Sequence, residues 1–159
     1  MIKISIALLR KQELDLQGTE PASFLNIGDD PVIQIVSAVT YDLHAKFISG
    51  SVLVTGRLNF DLKCTCGRCL CEFTTKFKTD NLYLYFDDID EEAELDISDD
   101  IRQEALLGLP LSPICSEECQ GICPECGINL NEESCSCEQD PRDDDDEDNP
   151  WSVLDDLKL

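Results

Sequence analysis

The sequence predicts an α+β fold, in which one helix covers an antiparallel β-meander and a cysteine-rich zinc-knuckle module and an acidic tail follow. Three observations support this prediction: residues 32–86 alternate apolar and polar side chains, a helical pattern ends at Pro110, and six cysteines fall within 115–137. The predicted units are a sheet domain at 1–113, a zinc-knuckle module at 114–137, and an acidic linker with a short C-terminal helix at 138–159.

Two short turns set the registers of the predicted strands, at residues 49–50 and 67–68. They pair Phe47 with Val52, Ala45 with Val54, Asp42 with Arg57, Cys66 with Cys69, Leu62 with Phe73, Leu58 with Phe77 and Lys63 with Glu72. Both registers place apolar side chains on one face of the sheet: Tyr41, Leu43, Phe47, Val52, Val54, Leu58, Phe60, Leu62, Phe73 and Phe77. Residues 82–86 are predicted to add a further strand.

A helix is expected after the acidic connection at 87–100. Ser98 is its predicted N-cap, and Pro110 ends it. Ile101, Ala105 and Leu109 recur at helical spacing and are expected to cover the apolar face of the sheet. At the C-terminus, Pro150 is expected to occupy the first position of a short helix.

The net charge and the number of cysteines limit the class of protein to which this chain can belong. With 12 Lys and Arg against 34 Asp and Glu, the formal net charge is −22, which opposes binding to nucleic acid by charge alone. Neither a signal peptide nor a membrane-spanning segment is recognisable, so we expect a cytoplasmic protein. In that reducing compartment ten cysteines indicate metal binding more than disulfides.

The strongest local signal is the pair Cys123 and Cys126, followed by Gly127. Cys135 and Cys137 can complete a set of four thiolates, which favours zinc. A redox dithiol and buried cysteines without a ligand are the alternatives.

A second site is predicted from Cys66 and Cys69 in the hairpin turn, with Cys115 and Cys119 supplied after the helix. This assembly would clamp the exit of the helix to the sheet. The alternatives are a site made by the hairpin alone, which would include Cys64 and Cys71, and ordinary buried thiols. Cys64 and Cys71 are better explained as small apolar residues. We therefore expect one or two zinc ions per chain.

No motif for catalysis is present. His44, the single histidine, is predicted to lie on a strand at the surface, and no nucleotide-binding, zinc-protease or nucleophile-elbow pattern occurs. Zinc held by four cysteines leaves no position for a reacting water. We expect neither an enzyme nor a small-molecule substrate.

The few cations cluster on the polar face of the predicted sheet, at Lys46, Arg57, Lys63, Lys76 and Lys78. Such a face is either balanced by neighbouring acids or forms a contact surface for RNA or an acidic partner. No aromatic residue is predicted on that face, so stacking of bases is not expected. An apolar group at the C-terminus, around Trp151 and Leu154, is expected to pack on its own domain or on another protein.

Several stretches together resemble the YceD family, the large ribosomal RNA subunit accumulation proteins of bacteria and plastids. They are the helix and proline segment 95–113, the hairpin 66–70, the run 119–131 closed by Cys135-Ser136-Cys137, and Asp140-Pro141-Arg142 with the leucines that follow. Unlike the family pattern, this chain inserts six acidic residues at 143–148.

The resemblance implies a non-catalytic role in synthesis, processing or stability of large-subunit (23S-type) ribosomal RNA. The implied partner is that RNA or a pre-ribosomal particle, reached directly or through a basic ribosomal protein. The alternative function is a zinc-stabilised adaptor that binds a basic protein and has no role with RNA.

Overall fold

The computed structural model describes residues 1–28, 30–90 and 93–137, and it is mostly antiparallel β-sheet with short helices. The predicted acidic linker and C-terminal helix lie outside the described residues. In chain order the elements are β1 (Lys3–Ser5), α1 (Ile6–Leu9), β2 (Leu14–Glu20), a 3₁₀ turn (Ala22–Leu25), β3 (Ile33–Ile35), β4 (Val39–Ile48), β5 (Ser51–Thr65), β6 (Glu72–Phe86), β7 (Glu94–Asp96) and α2 (Ser98–Leu107).

The main sheet is built around β5. Strands β4, β5 and β6 form the predicted meander, and each pairs antiparallel with the next. β2 adds to the outer side of β4, and β3 pairs with β5 beyond the end of β4. Strands β3 and β4 therefore lie along the same side of β5, while β6 lies along its other side.

The first predicted register is confirmed and the second is wrong by two residues. Phe47 lies opposite Val52, as expected. In the second hairpin, however, Lys63 lies opposite Thr74, because the turn contains four residues instead of two. The observed pairs there are Cys64 with Phe73, Leu62 with Thr75, Phe60 with Phe77 and Leu58 with Thr79. A shift of two residues leaves each side chain on its predicted face, so the division into apolar and polar faces survives.

Strand β6 runs unbroken from Glu72 to Phe86, although the sequence suggests a separate strand at residues 82–86. A β-bulge makes this possible, because the register shifts between Gly56 and Leu58 of β5 and places two residues of β6 opposite Arg57. The extra residue reverses the alternation beyond the bulge, which turns Tyr83 and Tyr85 onto the polar face. The expectation that this face lacks aromatic residues is therefore wrong.

The core lies on the other face of the sheet. Six of the residues predicted for this face are buried: Leu43, Val52, Val54, Leu58, Phe60 and Leu62. The remaining four, Tyr41, Phe47, Phe73 and Phe77, are partly buried and pack against the same core.

The N-terminal residues, to which the sequence assigns no role, contribute to this core. Ile2, Ile4, Ile6 and Leu9 are all buried. β1 forms a small second sheet with β7, in which Ile4 lies opposite Leu95. This sheet joins the start of the chain to the residues that precede α2.

Helix α2 places Ile101 and Ala105 in the core as predicted, and Leu109 packs against it. Ser98 is not its N-cap. Residue 97 occupies that position, and the Ser98 hydroxyl instead accepts a hydrogen bond from the Ile2 backbone N–H at 2.7 Å. The serine therefore ties the N-terminal strand to the helix.

Within the described residues, none of the helices combines the length and apolarity that crossing a membrane would require.

We expect Ser98→Ala to lower the free energy of unfolding by about 1 kcal/mol, because it leaves the partly buried Ile2 N–H without its acceptor. Urea unfolding followed by circular dichroism measures the change. Ser23→Ala is the matched control, since Ser23 is exposed and its side chain makes no hydrogen bond within the described residues. Equal midpoints for the two variants would show that the hydroxyl does not stabilise this junction.

Candidate metal centres

The first cysteine cluster consists of Cys66, Cys69, Cys115 and Cys119. Their four sulfur atoms lie within 4.8 Å of one another. Cys66 Sγ is 3.8 Å from Cys119 Sγ, and Cys69 Sγ is 3.7 Å from Cys115 Sγ. The structure thus joins the hairpin turn to the segment after the helix.

Backbone and side-chain contacts around the β5–β6 turn bring these two segments together. The Gly67 N–H donates to the Pro113 carbonyl at 2.8 Å. Arg68 donates from Nη1 to the carbonyls of Glu117 and Cys119, at 3.3 and 3.1 Å. The role of Arg68 could not be inferred from the sequence, because its acceptors are backbone atoms that only the tertiary fold brings near.

The second cluster consists of Cys123, Cys126, Cys135 and Cys137, whose sulfur atoms also lie within 4.8 Å of one another. Cys135 Sγ is 3.5 Å from Cys123 Sγ. Cys123 is buried and Cys126 is exposed, so this cluster lies closer to the surface.

Both CxxC pairs adopt the same turn. In the first, the Leu70 N–H donates to the Cys66 carbonyl at 3.0 Å and the Cys66 N–H donates to the Cys71 carbonyl at 2.9 Å. This turn directs backbone N–H groups at the first sulfur, and the Arg68 N–H lies 3.4 Å from Cys66 Sγ. Leu70 adopts a left-handed conformation, with φ of 60°.

The second turn repeats this geometry residue for residue. The Gly127 N–H donates to the Cys123 carbonyl at 2.9 Å, and the Cys123 N–H donates to the Ile128 carbonyl at 2.8 Å. Gly127 has φ of 73°, at the position that Leu70 takes in the first turn. Glycine adopts this conformation without steric cost, whereas leucine does not.

The first cysteine of each turn has a lowered pKa. Backbone N–H groups, that of Cys69 above all, lower the pKa of Cys66 to about 6. In the second turn the N–H groups of Cys126 and Glu125 lower the pKa of Cys123 to about 7. These turns therefore stabilise a thiolate before any metal ion binds.

The pKa values of other thiols in the same clusters are raised. The contact with Cys126 raises the pKa of Cys137 to about 12, and the contact with Cys119 raises the pKa of Cys115. Four thiolates so close together repel one another, so all four ionise only around a cation.

The spacing of the sulfurs agrees with tetrahedral coordination. A metal bound to four sulfurs at about 2.3 Å requires sulfur–sulfur distances of roughly 3.8 Å. Three of the observed distances, 3.8, 3.7 and 3.5 Å, lie near this value, and all other sulfur pairs within a cluster lie within 4.8 Å. Each cluster could therefore hold one metal ion, and four thiolates favour soft or borderline cations over Mg²⁺ or Ca²⁺.

A loop that includes Asn129 and Asn131 connects the two clusters. Asn131 donates from Nδ2 to Cys119 Sγ at 3.4 Å, so a residue between ligands of the second cluster contacts a ligand of the first. Asn129 accepts from Asn131 Nδ2 at 2.7 Å and donates to Cys71 Sγ at 3.3 Å. Nothing in the sequence alone distinguishes these asparagines from others in turns.

The two cysteines outside the clusters occupy different surroundings. Cys64 is buried in the sheet core, while Cys71 is half-buried beside the first cluster. The structure therefore does not gather Cys64 and Cys71 into a site made by the hairpin alone. All ten thiols are free of disulfides.

Neighbouring acids partly neutralise the predicted cationic face. Arg57 Nη2 lies 2.7 Å from Asp42 Oδ2, and Lys63 Nζ lies 2.8 Å from Glu72 Oε1. Lys46 is half-buried, whereas Lys76 and Lys78 are exposed on β6. The cations of this face thus differ in their surroundings.

His44 is half-exposed on the same face, and it lies between two acids that the sequence did not connect with it. His44 Nδ1 is 2.7 Å from Asp15 Oδ1, and His44 Nε2 is 3.2 Å from Glu13 Oε2. The hydrogen bond to Asp15 raises the pKa of the imidazole. These partners were missed because β2 was not predicted.

Comparison with known proteins identifies a family for the C-terminal part. The family model of the large ribosomal RNA subunit accumulation protein YceD matches residues 86–158. An uncharacterized protein of Mycobacterium tuberculosis is 32% identical over 106 residues, which cover 58% of this chain and 51% of that protein. The match thus spans about half the length of this curated relative.

Two plant proteins are similar over shorter stretches. The large ribosomal RNA subunit accumulation protein YCED homolog 1, chloroplastic, of Arabidopsis thaliana is 40% identical over 53 residues, which cover 33% of this chain and 16% of that protein. The protein of the same name in Zea mays is 44% identical over 45 residues, 28% of this chain and 15% of that protein. No solved structure matches the chain.

We expect the reduced, purified chain to bind two metal ions, one in each cluster. The variant with Cys66→Ser and Cys69→Ser should bind one, and so should the variant with Cys123→Ser and Cys126→Ser. Elemental analysis gives the number of ions, and titration with Co²⁺ reports tetrahedral sulfur coordination by visible absorption. Cys64→Ala is the control and should still bind two, because Cys64 belongs to neither cluster. Loss of both ions in either double variant would contradict two separate sites.

We expect Asn131→Ala to weaken metal binding at the first cluster by roughly tenfold, since outer contacts to ligands commonly have effects of this size. The reason is the lost N–H···S contact with Cys119. Competition with a chelator measures both affinities. The second cluster of the same variant is the internal control, because within the described residues the side chain of Asn131 makes no hydrogen bond to the sulfurs of that cluster. Equal losses at both clusters would indicate general loosening of the loop.

Proposed function

We propose that this chain is a YceD-family protein, since the family model matches residues 86–158, and that it is a cytoplasmic, zinc-stabilised factor that supports the accumulation of large-subunit ribosomal RNA. It acts by binding during ribosome assembly and not by catalysis. The single observation that carries this proposal is the position of the cysteine clusters. The whole second cluster and half of the first lie within the matched segment.

The chemistry of the clusters supports a structural role for the metal. Four cysteine ligands complete a tetrahedral shell and leave no position where a substrate or water would bind. Zinc suits such a set, and it would supply a charge that holds all four thiolates together. The chain then consists of an α+β sheet domain and a zinc-knuckle module at residues 114–137.

The proposed partner is large-subunit ribosomal RNA within a pre-ribosomal particle. Two relatives carry large ribosomal RNA subunit accumulation in their names, which favours this partner class. Contact is either direct or through a basic ribosomal protein that the acidic chain would attract.

The alternative function is a zinc-stabilised adaptor that binds a basic protein and has no role with RNA. The net charge of −22 favours it, because such a surface attracts cationic proteins and repels phosphate. Depletion of the protein separates the two functions, because the adaptor predicts no change in the ratio of large-subunit to small-subunit ribosomal RNA.

We expect depletion of the protein from cells that encode it to lower the ratio of large-subunit to small-subunit ribosomal RNA. The wild-type chain and Cys64→Ala should restore the ratio, whereas the variant with Cys123→Ser and Cys126→Ser should not, since its module loses the metal that orders it. Quantitative hybridisation to both RNAs measures the ratio, and immunoblotting controls for the amount of each variant. An unchanged ratio after complete depletion would contradict the proposed function.

A further inference from the structure

The outward face of β6 carries four exposed side chains, two tyrosines and two lysines. Tyr83 and Tyr85 are 59% and 57% exposed. Lys76 and Lys78 are also exposed and lie further along the same strand. We call these four residues the β6 strip. Two neighbouring aromatic residues thus leave more than half of their surface open to solvent.

The bulge is what places the strip on one face. Tyr83 lies opposite Thr55 and Lys78 lies opposite Asn59, and residues directly opposite each other point to the same side of a sheet. Thr55 and Asn59 are four positions apart on β5, whose side chains alternate between the two faces, so they share a face. Without the extra residue in β6, the tyrosines would point into the core.

Charge is distributed unevenly across this face. Towards β2, Asp15 and Glu13 flank His44, and Asp42 pairs with Arg57. Opposite the β6 strip the partners on β5 are Leu53, Thr55, Asn59 and Asp61, of which one is acidic. The β6 edge therefore presents two lysines and two aromatic rings, with Asp61 opposite Lys76 and the Asp87 carboxylate hydrogen-bonded to Ser51 beside Tyr85.

We propose that the β6 strip binds single-stranded RNA, an inference that rests on the proposed function for the class of partner. The two tyrosine rings stack on successive bases, and Lys76 and Lys78 contact the phosphates that follow. Tyr83 and Tyr85 are two residues apart on a strand, or about 6.8 Å. Stacking on aromatic residues tolerates any base, as binding to varied single-stranded segments requires.

The geometry favours a single strand over a duplex. Paired bases are already stacked and cannot lie on an open sheet face, whereas unpaired bases can. Tyr85 is also held in place, because its hydroxyl donates to Ser51 Oγ at 2.9 Å and Ser51 donates to Asp87 Oδ1 at 2.7 Å. A ring fixed beforehand loses little conformational entropy when a base stacks on it.

The test is fluorescence anisotropy of a short, labelled, single-stranded RNA of mixed sequence, titrated with the full chain. Tyr83→Ala and Tyr85→Ala should each weaken binding about tenfold, within the range seen for loss of one stacked base. Tyr83→Phe keeps the ring and should bind like wild type. Tyr85→Phe keeps the ring but loses the hydrogen bond to Ser51, so its affinity should lie between those of wild type and Tyr85→Ala. Circular dichroism and metal content confirm that each variant is folded.

The lysines are tested by the dependence of binding on salt. The variant with Lys76→Ala and Lys78→Ala should reduce the slope of log K against log salt concentration by roughly 1.4, the value expected for two phosphate contacts on a single strand. Lys3→Ala with Lys11→Ala removes the same charge from exposed positions outside the strip and should leave the slope unchanged.

The outcomes separate this inference from the proposed function. A chain that associates with large-subunit precursors but does not bind free RNA overturns the strip and leaves the function intact. RNA binding that depends on the tyrosines, without any effect of depletion on ribosomal RNA, supports the strip and overturns the function. RNA binding that is insensitive to both alanine variants overturns the strip. Tyrosine variants that change the oligomeric state instead would make this edge an interface between copies of the chain.

Discussion

The mutual repulsion of four thiolates is the constraint on which much of this molecule depends. Residues 108–137 contain no helix and no strand beyond the isolated bridge between Ile122 and Asn129. Their order comes from two sulfur clusters, the contacts of Arg68, and the asparagine loop. Each cluster could hold one metal ion, and its four thiols ionise together only around such a cation. The sheet differs, since its core is apolar and its ladders are complete without the clusters.

The two faces of the sheet differ in their surroundings: one packs against the core, and the other carries exposed side chains. One face packs β1, α1 and α2 into the core, and the bulge opposite Arg57 is the one place where the alternation of β6 changes. That change costs a local interruption of the ladder and exposes two tyrosines. Its effect is to bring the rings onto the same face of an edge strand as the lysines, while Asp42 of β4 pairs with Arg57 and Glu72 pairs with Lys63. A protein with a strongly negative net charge can thus carry a small surface, the β6 strip, whose lysines attract an anion.

The sequence predicted those features whose causes are local. The turn at Ser49-Gly50 and the alternation around it set the β4–β5 register correctly, and the helical spacing of Ile101 and Ala105 identified the buried side of α2. The second hairpin failed because its turn closes around a sulfur atom, which requires four residues where Gly67-Arg68 suggested two. β1 has three residues and exists only by pairing with β7, so no local pattern could reveal it. Asn131 likewise acquires its contact with Cys119 from the tertiary fold.

The clusters also differ in how they form. Cys123 and Cys135 are separated by 12 positions, whereas Cys66 and Cys119 are separated by 53. Closing the longer loop from an unfolded chain costs about 1 kcal/mol more, and Leu70 in its left-handed conformation adds a further cost that Gly127 avoids. The sheet offsets this disadvantage, since β5 and β6 hold Cys66 and Cys69 at one end of a long hairpin. The second cluster needs no such support, and once it is closed it positions Asn131 against Cys119. The first cluster therefore relies on the sheet for its closure. The loop of the second cluster adds one supporting contact, from Asn131 to Cys119, and the two sites remain separate.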